Sequence, residues 1–160
     1  MIEQYTFEKS KLKTASIVSF GLKPLIKLDE SASDTLFAIW SNSDKLKLKE
    51  KDTEEYELLE DYIRFANEKI RDIFIAAKST LNSDQWCLYS HSTPNGILNV
   101  TFFNGFLNVL RLLIENNQIN DFTEYIKKVK GRELHKFQFR SYKSSQYRKM
   151  GQDIYNKYFK

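Results

Sequence analysis

Residues 96–117 read GILNVTFFNGFLNVLRLLIENN, and the spacing of apolar side chains in this stretch decides the fold class. Placed at 100° per residue, Leu98, Val100, Phe102, Phe103, Phe106, Leu107, Val109, Leu110, Leu113 and Ile114 cover more than half of a helix's circumference. A stripe that wide belongs to a helix packed on several sides. One polar line remains: Thr101, Asn104, Asn108, Arg111 and Glu115, at spacings of 3, 4, 3 and 4. Gly105 stands beside this line and lets a neighbouring backbone come close. Asn99, Asn104, Asn108 and Arg111 argue against a membrane span. The stretch is therefore predicted to be the buried central helix, 97–115, of a mainly α domain with at most a minor β component.

Its expected partner is a long amphipathic helix over residues 52–81. Tyr56, Leu59, Ile63, Ala66, Ile70, Ile73, Ala77 and Leu81 recur at spacings of 3 and 4, an a/d-like seam. Tyr62, Phe65 and Phe74 widen the apolar face. Glu54, Glu55 and Glu57 crowd the first turns, where the helix dipole favours negative charge. A coiled-coil dimer is the weaker reading, because the seam is short and a strongly apolar helix lies close in sequence.

The flanking segments are expected to be short. Residues 1–13 are polar and read as a frayed end or a connection. Residues 14–28 (TASIVSFGLKPLIKL) read as a short helix or extended piece interrupted at Gly21, with Pro24 opening another helix. Ser33 or Asp34 can cap a helix through Leu36, Phe37, Ile39 and Trp40. KLKLKEK, within residues 41–51, reads as a solvated loop in preference to an edge strand. The central helix begins either after Thr93–Pro94 or later, at an Asn99 cap. Asp121 caps a helix that Gly131 stops. Residues 135–142 (HKFQFRSY) alternate and read as a short strand or an extended arm. Ser144 or Ser145 begins a last helix, with Tyr147, Met150, Ile154, Tyr155 and Tyr158 inward.

A chain of 160 residues is long enough for a core of its own and reads as a single domain, 1–160, either whole or the C-terminal portion of a longer protein. Twelve Phe and nine Tyr point to an aromatic interior, and five Gly leave little material for a phosphate-binding glycine loop. Cys87 is the only cysteine, so an intramolecular disulfide and a multi-cysteine zinc site are excluded. His91 and His135 have no neighbours at metal-ligand spacing, and no cofactor motif occurs. The opening residues lack a secretory apolar core, so the cytoplasm is the expected setting.

Charge is distributed unevenly. Residues 126–160 carry eleven Lys/Arg against Glu133 and Asp153, a net +9, whereas residues 1–125 carry a net −5. This asymmetry implies an anionic partner, DNA or an acidic protein surface, for the C-terminal third. Lys127, Lys128, Lys130, Arg132, Arg140, Lys143, Arg148 and Lys149 are the candidate nucleic-acid contacts. Phe137, Phe139 and Tyr147 either stack on bases or belong to the core. Asn104, Asn108 and Arg111 form a second candidate: solvated or internally satisfied amides, or a groove in which Arg111 holds an anion. An enzymatic reading requires Arg111 and Asn104 to share a pocket with Cys87, His91 or a carboxylate.

Three stretches, TFFNGFLNVLRLLIEN at 101–116, FQFRSYKSSQYRKMG at 137–151 and IYNKYF at 154–159, together resemble the C-terminal part of DGQHR-domain proteins. That family includes the DndB-type proteins encoded with bacterial DNA phosphorothioation systems, where a transcriptional-repressor role is known. The Asp-Gly-Gln-His-Arg pentapeptide is absent from these residues, so the resemblance carries over no catalytic residue. What it implies is the distal portion of such a protein, in a bacterial DNA-modification or regulatory context. The expected function is a non-catalytic helical module that contacts DNA; the alternative is a protein-interaction or structural domain.

Overall fold

The computed structural model describes residues 12–51 and 54–160. The expected behaviour of the first eleven residues, and the placement of Asp52 in the long helix, lie outside that range. Six helical segments order the chain: α1 (residues 14–26), α2 (Leu36–Ile39), α3 (Tyr56–Thr80), α4 (Val100–Glu115), α5 (Phe122–Lys130) and α6 (Tyr147–Ile154). Single 3-10 turns connect several of them. The domain is mainly helical, as expected. Its β component among the described residues is one isolated parallel bridge, Leu88 to Leu98.

α4 is the buried centre. Phe102, Phe106, Leu107, Val109, Leu110, Leu113 and Ile114 are all buried in one continuous core cluster. The helix starts later than 97, because Asn99 accepts the Phe102 N–H at 2.8 Å and takes the cap position. Ile97 and Leu98 stay extended instead, donating their N–H groups to the carbonyls of Gln85 and Cys87. Phe74 of α3 meets Phe102, Phe103 and Phe106, which is the expected contact between the two long helices.

α6, however, also packs closely along α4. A Cβ placed on Gly151 would lie 2.6 Å from the Gly105 carbonyl oxygen, and one on Gly105 would collide with Met150 Cε. Two glycines face to face set this crossing. α6 continues as a π-helical stretch, Tyr155–Phe159, that buries Tyr158 and Phe159.

The seam of α3 is only half used. Ala66, Ile73 and Ala77 are buried, yet Tyr56, Leu59 and Ile63 remain 67%, 40% and 49% exposed. At that end the buried face turns towards Tyr62, which meets Phe37 edge-to-face, lies tilted against Trp40 and donates its hydroxyl to the Ile26 carbonyl. The second half of α3 lies against α5, where Tyr125 and Val129 are buried. Asp121 caps α5 by accepting the Glu124 N–H, and Gly131 ends it, both as expected.

Four local expectations are corrected. Gly21 does not interrupt the first helix: residues 14–26 run through an α-turn, a π-helical stretch (Ile17–Leu22) and a second α-turn opened by Pro24. Neither Ser33 nor Asp34 caps α2; Thr35 does, because its hydroxyl is buried and accepts the Ala38 N–H. KLKLK coils into a 3-10 helix, Lys45–Lys49, in place of a loop or strand. Residues 135–142 form 3-10 turns, since Phe139 packs on Phe102 and Phe106 while Phe137 stacks on Tyr142 and meets Tyr158. A strand edge would have offered these rings no such pockets.

Candidate functional site

The polar line of α4 is spent on holding segments together. Asn104 is 2% exposed and its Nδ2 donates to the Ser16 carbonyl of α1 at 3.4 Å. Its Oδ1 lies against Gly21 and has no donor among the described residues. Four residues on, Asn108 Nδ2 donates to the Arg148 carbonyl of α6 at 3.4 Å. At the next turn Arg111 gives Asp34 two hydrogen bonds, Nε at 3.0 Å and Nη2 to the same Oδ2. Both partners of this ion pair are largely covered. Of the two readings of the line, internal satisfaction accounts for Asn108 and Arg111. Arg111 already has its anion, and it belongs to the protein.

The basic residues of the C-terminal third divide into two groups. Arg140 is structural: its guanidinium donates to the carbonyls of Pro94 and Gly96 and lies 4.6 Å above the Tyr89 ring centroid. It clamps the 82–99 connection, which Gln85 also ties to the His135 carbonyl. Arg132 donates to the Lys157 carbonyl, tying the end of α5 to the terminal π-helical stretch. Lys127 pairs with Glu124, whose carboxylate pushes the ammonium's pKa up.

Lys128, Lys130, Lys143, Arg148 and Lys149 form the second group. None has a carboxylate within ion-pair distance among the described residues, and four of the five are exposed. The two acidic groups of the segment are engaged elsewhere. Glu133 pairs with Lys136, and Asp153 accepts the Tyr142 hydroxyl at 2.7 Å. Burial, reinforced by that hydrogen bond, pushes the Tyr142 pKa up to about 12. Of the aromatics in the sequence pattern, Phe139 is buried and Phe137 packs against it, whereas Tyr147 is only half-buried.

Cys87, His91 and Arg111 do not converge. The Cys87 thiol donates to the Asp84 carbonyl, His91 stands exposed in the turn closed by Ser90 and Thr93, and Arg111 is on Asp34. Among the described residues no group of three or more His, Cys, Asp or Glu could hold a metal ion. No described helix is long and apolar enough to cross a membrane.

A feature without a sequence signal is a cleft of about 530 Å³ between α1, α4 and the start of α6. Phe20, Asn104, Ser144, Ser145, Tyr147 and Arg148 line it, together with two further residues, and none of the eight is acidic. Phe20 is 54% exposed, its ring 6.3 Å from that of Tyr147 at 40°. These residues are up to 132 positions apart in the chain, so only the crossing of α4 with α1 and α6 brings them together. Comparison with protein families, curated proteins and solved structures finds no match to this chain.

Proposed function

We propose that the chain is a non-catalytic, DNA-associated helical module whose basic C-terminal third contacts the duplex backbone. The observation that carries this reading is the uncompensated charge: residues 126–160 keep a net +9, and Lys128, Lys130, Lys143, Arg148 and Lys149 lack carboxylate partners among the described residues. Unpaired cations of this kind bind phosphates by releasing condensed counterions. With Phe137 and Phe139 committed to the core, these contacts are to the backbone and carry no base readout. The resemblance to DGQHR-domain proteins supports a regulatory or DNA-modification-linked setting in a bacterial cytoplasm.

The test is a duplex-DNA titration by fluorescence anisotropy over a series of salt concentrations. Affinity should fall linearly on a log–log plot, and replacing Lys128, Lys130, Lys143 and Lys149 by Ala should lower the slope by about 3–4. Absence of binding at low salt, or a slope unchanged by the four substitutions, refutes the reading.

A second reading, protein association, is favoured by one observation. Tyr56, Leu59 and Ile63 form an exposed apolar row at the acidic end of α3. It requires an assembly that Leu59→Glu disrupts.

A further inference from the structure

We infer that the cleft between α1, α4 and the start of α6 is a nucleotide site, with a base stacked on Phe20 and a phosphate held by Arg148 and the hydroxyls of Ser144 and Ser145. The inference shares only Arg148 with the proposed duplex contact: Lys128, Lys130, Lys143 and Lys149 line no part of this cleft.

Four observations converge on it. A phenylalanine on the wall of a cleft keeps over half of its surface uncovered, and its neighbour Tyr147 is also aromatic. Such rings accept a base on their π faces. Among the described residues the lining contains one cation and no carboxylate, so none of them opposes an anion there. Arg148 leans over Tyr147, its guanidinium carbon 5.7 Å from the ring centroid, and has no acidic partner among the described residues. A guanidinium and hydroxyl groups together suit phosphate oxygens.

The inner wall supplies the fourth observation. Asn104 is nine-tenths buried or more and its Oδ1 has no donor among the described residues, a deficit that folded proteins rarely leave uncorrected. The stretch of α1 lying over that oxygen is π-helical, a distortion concentrated at functional sites. A base joined to a phosphate is offered by a free mononucleotide and by an unpaired nucleotide within a strand.

Isothermal titration calorimetry on the full chain separates the cases, using adenosine monophosphate, adenosine, inorganic phosphate and a six-residue single-stranded oligodeoxyadenylate. The nucleotide should bind more tightly than either adenosine or phosphate alone. Phe20→Ala and Arg148→Ala should each weaken it about tenfold, the usual effect of losing a base-stacking ring or a charged phosphate contact. Both side chains are surface-accessible, and far-UV circular dichroism confirms that the variants fold. Val18→Ala, exposed on the same helix but not lining the cleft, and Lys128→Ala should leave the affinity unchanged. Binding of the oligonucleotide alone, with the same sensitivity to Phe20→Ala and Arg148→Ala, assigns the site to a nucleotide within a strand. If nucleotide and oligonucleotide both bind no better than inorganic phosphate, or if neither cleft substitution weakens them, the proposal is overturned.

Discussion

Gly151→Ala tests the crossing on which the cleft depends. Two effects of opposite sign compete. In an exposed helix this substitution stabilises by about 1 kcal/mol, because alanine loses less backbone entropy on folding. Here the new Cβ would lie 2.6 Å from the Gly105 carbonyl oxygen, 2.8 Å from Asn108 Nδ2 and 3.0 Å from Asn108 Cβ. The carbonyl belongs to the middle of α4 and cannot move alone, so the two helices must separate. Overpacking of this kind costs about 1–3 kcal/mol. Displacing Asn108 also breaks its hydrogen bond to the Arg148 carbonyl, worth about 0.5–1.5 kcal/mol. The net expectation is a loss of about 1–3 kcal/mol, read as a lower urea midpoint at unchanged m-value. Gly131→Ala supplies the control, since nothing lies within 4 Å and its φ of −70° suits alanine. That variant should gain about 0.4–1 kcal/mol through the unfolded state. A Gly151→Ala protein as stable as the parent would refute the argument that this pair of glycines sets the crossing.

Two further outcomes concern α3. Asp72 is 4% exposed, and burial raises its pKa above the ordinary carboxylate value. The folded state therefore binds its proton more readily than the unfolded state does. The stability this group contributes grows as pH falls through the raised pKa and levels off below 3.8. Asp72→Asn should be more stable than the parent at neutral pH, with the difference shrinking in urea melts repeated towards pH 4; a pH-independent difference refutes the linkage. Leu59→Glu, on the exposed half of the seam, should change stability by less than about 0.5 kcal/mol. A loss of 2 kcal/mol or more would mean the seam is buried at that level, and sedimentation of the same variant reports whether it joins two chains.

Much of the architecture was legible in the residues. The wide apolar arc of α4, the Asp121 cap and the Gly131 stop each depend on side chains a few positions apart, and local spacing is what a sequence displays directly. The charge asymmetry was legible for the same reason, being a count. The α3 seam was legible only in part: its period was correct, but Tyr62 in place of Tyr56 and Leu59 turned inward where Phe37 and Trp40 stand.

The sites were much less legible. Asn104, Asn108 and Arg111 share a helical line, yet what each of them does is set by Ser16, Arg148 and Asp34, which lie 88, 40 and 77 positions away. Nothing in the sequence ranked Arg140 as a clamp and Arg148 as a cation without an acidic partner. Phe20 looked like part of an interrupted apolar run until the unbroken α1 placed it beside Tyr147. By itself, then, the sequence determined the helical class, the central helix and the basic C-terminal third, because periodicity and composition are properties of the chain alone. Only the tertiary structure decided which polar groups are spent internally and which side chains meet in the cleft, because those partners are chosen by the crossing of helices distant in sequence.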